Sequence, residues 1–326
     1  MRAVAILTVI AIHTSTRILE ASSFNIQGFS LTFFINQATR FAVPLFFMIS
    51  GFVLELSYPF HQNYASYLKK RFSRIFLPYL FWSAIYYFFI YTRHTIDFGT
   101  TLLYGAASYQ LYFIPTLLIF YIIFPFIHKI YRFIANKWIL IILGIIQLAI
   151  LGYTYYISPL PIFYPLAIAV LNYYVFILGM VGSHYQEFLQ KIIKWRLLIA
   201  VLFGIFATTV FAEAKTLYLK THNYLYFYTQ WRPSVLGYTL TTAGLLYGFF
   251  NKGHLSEKIV KTFSRLSFFV FFIHIIVLEQ FWSIIGKRII GQELFFNLLF
   301  FFSVAGVSYS IAYLAHKIPY FSRISG

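Results

Sequence analysis

The stretch Met1-Arg2-Ala3-Val4-Ala5-Ile6-Leu7-Thr8-Val9-Ile10-Ala11-Ile12-His13 is an apolar run with an arginine near its start and a histidine eleven positions later. As an α-helix, eleven steps close three turns plus about 20°, so Arg2 and His13 share one face roughly 17 Å apart. Placed in a bilayer, that face carries a cation near one surface and a titratable base towards the other. Ionisable side chains are costly in lipid and mark a buried polar path by default. No small-residue cleavage site precedes Thr14-Ser15-Thr16-Arg17, so the run reads as a resident helix and not as a signal peptide.

The rest of the chain has the same character. Of 326 residues, 60% are hydrophobic, 23% aromatic and only 10% charged, against about 25% charged in ordinary soluble domains. The apolar runs approach the roughly 20 residues that a helix needs to cross a hydrocarbon layer. They do not alternate as barrel strands do. The expectation is an all-α polytopic membrane protein, a single domain over 1–326, with about ten spans near 1–17, 31–57, 75–92, 111–128, 138–157, 162–182, 197–213, 234–250, 267–286 and 294–314.

The net charge of +17 is dispersed between those spans, which fits retention of cationic loops on the cytoplasmic side and not a nucleic-acid partner. Seventeen basic residues fall on the side of the N-terminus, among them Lys69, Lys70, Arg71, Arg74, Lys191, Lys252 and Arg323. Seven fall on the other side, among them Arg17, Arg93 and Arg232. This asymmetry predicts both termini in the cytoplasm. The longest outer segments, 93–110 and 214–233, are rich in Tyr, Thr and Asn. They suit interfacial anchoring, and also a stacking surface for sugar rings.

With no cysteine, disulfides and thiolate chemistry are excluded. The nine histidines show no i, i+4 pair and no HExxH, so no metal is expected. GxSxG, Walker A and GxGxxG are absent too. Only His13 and His274 fall deep inside expected spans. Glu279 follows His274 by five residues, a poor helical partner. Glu55 is a carboxylate within a span, and it could orient a histidine or pair with Arg40. The run Lys69-Lys70-Arg71-Phe72-Ser73-Arg74 reads as a topogenic anchor or as a phosphate clamp, since arginine forks bind phosphate bidentately.

Taken in order, these residues resemble the acyltransferase-3 family of integral membrane O-acyltransferases over nearly the whole chain. Arg2 to His13 fits a basic residue, ten others and a histidine. Arg40-Phe41-Ala42-Val43-Pro44-Leu45-Phe46-Phe47-Met48-Ile49-Ser50-Gly51 fits an arginine ahead of Pro-Leu-Phe-Phe-x-x-Ser-Gly. Arg71 to Pro78 fits Arg-Ile-x-x-Pro with its basic lead. Tyr112-Phe113 through Phe124-Pro125 fits an aromatic span with a late proline, and Phe271 to His274 fits a Tyr-or-Phe-x-x-His.

The resemblance implies transfer of an acyl group, commonly acetyl, from cytoplasmic acyl-CoA to a hydroxyl of a cell-envelope glycan or lipid-linked sugar. It makes His13 the catalytic histidine and Arg2, Arg71 and Arg74 candidates for the acyl-CoA side; Arg40, Ser50 and His274 within its motifs, and the in-span carboxylate Glu55, are further candidate site residues. His13 would act as general base, or carry the acyl group itself, or serve after the group has crossed the membrane. Ser50 would donate to an oxyanion, or Ser50-Gly51 would allow close helix packing. The chain looks like the stand-alone members, in the plasma membrane, and a homo-oligomer is compatible with that likeness. It starts at the basic position where relatives carry several residues more, so either the start codon is placed late or the first helix is short. Two other function classes fit the buried Glu and His residues: a glycan or small-anion transporter, and a non-catalytic assembly partner in a polysaccharide synthase.

Overall fold

The structure, a computed structural model, describes residues 1–22, 30–58, 63–185, 194–251, 257–289 and 293–318. Lys191, Lys252 and Arg323 of the basic-side count, together with His61 and His254, lie outside the described residues. Among those described, all regular secondary structure is helical. The helices are α1 (Arg2–Ala21), α2 (Leu31–Ala38), α3 (Ala42–Ser57), α4 (Tyr64–Ile85), α5 (Phe98–Tyr104), α6 (Phe113–Lys129) and α7 (Tyr131–Ile134). They continue with α8 (Lys137–Tyr156), α9 (Tyr164–His184), α10 (Arg196–Thr221), α11 (Leu225–Tyr228), α12 (Pro233–Asn251), α13 (Glu257–Ile289) and α14 (Glu293–His316).

Helices occupy all ten positions where spans are expected. Among the described residues, eight stretches are long and apolar enough to cross a membrane, with α2 and α3 acting as one. Of the other two, α6 has 17 residues, and α12 carries the buried polar residues Ser234, Thr239, Thr241 and Thr242. The chain is thus an all-α polytopic membrane protein. Three expectations are corrected. Helix α1 has 20 residues, about 30 Å at 1.5 Å each, so it is not short. The basic run 69–74 is not a loop ahead of a helix but part of α4, which Asn63 caps through the Ala65 amide at 2.8 Å. Residues 214–221 continue α10, because Ala214 and Tyr218 pack with Leu19, Phe33 and Phe227.

The chain divides into two compact units, Met1–Ile49 with Tyr185–Ala312, and Ser50–His184 with Tyr313–Gly326. In the first, α1 packs on α2 and α13, and α10 packs on α2 and α12. The break between α2 and α3 falls at Thr39-Arg40-Phe41. Pro44 has no N–H, and its ring excludes the carbonyl four residues back, so a continuous helix through Arg40 is disfavoured. In the second unit α6 packs on α9, with Phe120 stacked on Phe176 at 4.3 Å. Gly51 of α3 lies so close to α9 that a Cβ there would collide with the Phe176 carbonyl oxygen. This is small-residue packing of the kind membrane helices use. Tyr173 of α9 donates its hydroxyl to the Leu143 carbonyl of α8 at 2.7 Å.

Candidate functional site

In the first unit the rings of His13 on α1 and His274 on α13 face each other with centroids 5.4 Å apart. His274 is fully buried, and its Nδ1 lies 3.0 Å from the Val270 carbonyl oxygen. A carbonyl only accepts, so the proton sits on Nδ1 and Nε2 holds a lone pair. That Nε2 is buried and has no hydrogen-bond partner among the described residues.

The turn that presents His13 is loaded with hydroxyls. Thr14 Oγ1 donates back to the Ile10 carbonyl at 2.9 Å and Ser15 Oγ to that of Ala11 at 2.6 Å. Such back-bonding competes with the helix ladder and makes the turn deformable. Asn36 of α2 restrains it from outside: its Nδ2 lies 3.3 Å from the Ile12 carbonyl oxygen, 3.0 Å from Ser15 Oγ and 2.8 Å from Thr16 Oγ1. Its Oδ1 accepts from Gln37 Nε2 at 3.1 Å and from Arg40 Nη2. Arg40 also donates to the Tyr228 carbonyl at 2.5 Å. Arg232 is fully buried and donates to Gln37 Oε1 at 2.7 Å and to the Val210 carbonyl at 3.1 Å. It is therefore an interior cation and not an outer-surface one.

One turn further along α1, Arg17 Nη2 lies 3.3 Å from Glu279 Oε2, so Glu279 belongs to Arg17. Helices α1 and α13 run in the same direction, since both the His13–His274 and the Arg17–Glu279 contacts advance together.

In the second unit Glu55 does not take Arg40. Its Oε1 accepts from His128 Nδ1 at 2.9 Å and His184 Nε2 at 2.7 Å. Three helix ends, those of α3, α6 and α9, thereby meet on one buried oxygen. Arg71 donates to Ser57 Oγ at 2.7 Å and lies over the Tyr67 ring at 5.7 Å. Arg2 and Arg74 are exposed, and Ser50 is half-buried in α3 beside Gly51. Of the residues named from the sequence, the structure places His13, His274 and Arg40 in one unit and Arg71 with Glu55 in the other. The sequence reading missed Asn36, Gln37, Arg232, His128 and His184. The adjacent amides Asn36-Gln37 inside an apolar run were the available signal for the first pair.

A family profile described as an acyltransferase domain matches residues 1–317. A Bacillus subtilis chain, provisionally named the membrane-bound acyltransferase YfiQ, is 24% identical over 292 residues, covering 84% of this chain and 78% of that one. A Staphylococcus epidermidis chain, provisionally named a poly-β-1,6-N-acetyl-D-glucosamine export protein, is 25% identical over 299 residues, covering 86% and 80%. No solved structure matches the chain.

Proposed function

Because the chain belongs to this acyltransferase family, we propose that it moves an acyl group, commonly acetyl, from acyl-CoA to a hydroxyl of an envelope glycan or lipid-linked sugar, with His13 as base. The observation that carries the reading is the His13–His274 contact at 5.4 Å, with a buried lone pair on His274 Nε2.

In this reading His13 takes the proton of the acceptor hydroxyl as its oxygen attacks the thioester carbonyl carbon. The new C–O bond forms, the C–S bond breaks, and the departing thiolate takes the proton back from His13. The thioester is already activated, so the protein supplies proton removal and positioning. His274 Nε2 is an acceptor and orients a hydroxyl beside His13. Asn36 and Arg40 hold the turn that carries the base. Arg71, Arg74 and Arg2 attract the donor's phosphates, for which guanidinium forks are suited. The excess of basic residues on the side of the N-terminus supports cytoplasmic termini in the plasma membrane, with the donor reached from that side.

The test is transfer of label from acetyl-CoA to envelope glycans, comparing wild type with His13→Ala and Arg71→Ala at matched membrane levels. Transfer lost in His13→Ala, and a raised donor KM in Arg71→Ala, support the reading. Equal labelling in wild type and His13→Ala removes His13 from the mechanism. A second reading, glycan export, is favoured by the name of the staphylococcal relative. It predicts accumulation of unmodified polymer inside cells lacking the protein, and no label on glycan from any acyl-CoA.

A further inference from the structure

We propose that Arg17, Glu20, Glu279 and Trp282 form a carbohydrate subsite that seats a sugar ring of the acceptor. The inference rests on the glycan-directed reading above and names the part of unit 1 that recognises the sugar.

The four residues gather where the C-terminal end of α1 lies against α13. Arg17 Nη2 lies 3.3 Å from Glu279 Oε2, Arg17 Nη1 lies 3.7 Å from Glu20 Oε2, and the guanidinium sits 5.1 Å from the centre of the Trp282 ring. The charged side chains are a third open: 34% for Arg17, 41% for Glu20 and 29% for Glu279. Tyr228 donates its hydroxyl to Glu20 Oε1 at 2.9 Å. Burial, with Glu20 beside it, pushes this phenol up, so it remains a neutral donor. The Trp282 ring lies along α13 over Gly286, where a Cβ would stand 2.7 Å from the indole. Only glycine allows that ring position.

An interfacial ion pair beside an anchoring tryptophan is the plain alternative. Two observations favour a ligand. The single guanidinium is divided between two carboxylates, at 3.3 and 3.7 Å, while all three charged side chains stay about a third open. The exposed parts of the guanidinium and the carboxylates therefore offer donors and acceptors next to an aromatic face. Such a combination suits a molecule with one apolar face and a rim of hydroxyls, as a sugar ring has, and recognition sites pair apolar walls with a few placed polar groups. The second observation is position. Arg17 is one turn from His13, about 6 Å along α1, and Trp282 is about 12 Å along α13 from His274. A sugar seated here extends a hydroxyl towards the histidine pair, where His274 Nε2 lacks a donor.

The experiment uses the full chain in lipid nanodiscs and titrates it calorimetrically with pentasaccharides of β-1,6-N-acetylglucosamine, β-1,4-N-acetylglucosamine and α-1,4-glucose. At least one is expected to bind wild type. Trp282→Leu and Glu279→Gln should each weaken it by about tenfold, while Trp282→Phe, which keeps a ring, changes it less than about threefold. Melting temperature and coenzyme A affinity should stay unchanged, which separates lost recognition from lost folding. Failure of all three sugars to bind wild type, or binding indifferent to Trp282→Leu and Glu279→Gln, overturns the subsite. If binding depends on these residues while no label moves from acetyl-CoA, the subsite stands and the transfer reading falls. If label moves and requires His13 while the variants bind normally, the transfer reading stands and the subsite falls.

Discussion

The side-chain amide of Asn36 reaches the carbonyl oxygen of Ile12, the residue before His13, at 3.3 Å. It does so at a turn whose Thr14 and Ser15 hydroxyls already compete for the helix carbonyls. Asn36→Leu keeps the volume and removes both the donor and the acceptor for Arg40. Small misplacements of a reacting group can cost about a hundredfold in rate. We expect kcat to fall about 10- to 100-fold with donor KM within about twofold, read from initial rates of acetyl transfer.

His274→Asn retains a donor for the Val270 carbonyl and removes the lone pair of Nε2. Loss of a positioned acid or base typically costs about 10²–10⁴ in rate. The expected result is a fall of about 100-fold in transfer with an unchanged melting temperature. A rate close to wild type would make His274 a packing residue.

Glu55 holds two imidazoles on a single oxygen while its own side chain is almost wholly buried. Glu55→Leu removes the acceptor that both rings share; His128 and His184 are 23% and 47% exposed and can turn to water, so the loss is that of the hydrogen bonds themselves, about 0.5–1.5 kcal/mol each. The detergent-solubilised protein should melt at lower temperature. In a double-mutant cycle with His184→Gln, the coupling should reach about 0.5–3 kcal/mol. Additive effects would show that the contact contributes nothing.

Gly51 faces the Phe176 carbonyl with no space for a side chain. Gly51→Val forces α3 away from α9, and overpacking of this kind costs about 1–3 kcal/mol. Lower yield of folded protein and a lower melting temperature are expected, whereas Gly152→Ala, with nothing within 4 Å of its Cβ position, should be neutral.

Asp97 caps α5 by accepting from the Thr100 amide at 3.0 Å and the Thr100 hydroxyl at 2.6 Å. These bonds hold its carboxyl below the usual carboxylate range. The sign follows from linkage: a lowered folded value stabilises above the unfolded pKa and is lost as pH falls through the folded one. Amide exchange over 98–104 should therefore be slower in wild type than in Asp97→Ala at neutral pH. The difference should vanish once the carboxyl is protonated.

Much of this fold is legible in the sequence because a span declares itself by length and apolarity alone. All ten expected positions are helical, and Arg2 and His13 share α1 as periodicity requires. What a helix touches is not written in its own period. Glu55 gave no sign of choosing His128 and His184, which sit at the ends of apolar runs and read as surface residues. Arg232 looked like a loop cation and is fully buried. Its partner Gln37 lies nearly two hundred residues earlier, and only packing of α10, α12 and α2 joins them.

The distance in sequence between α1 and α13 sets an order on biosynthesis. Asn36 clasps α1 across a separation of 20 to 24 residues, so that grip can form almost as soon as both segments leave the ribosome. The partner of Arg17 lies 262 residues on. At about 5–20 residues per second, the nascent first helix waits roughly 13–50 s with a histidine and an arginine that have not yet met their counterparts. Until the penultimate helix arrives there is no histidine pair, so an interrupted chain lacks that contact however well its earlier helices pack.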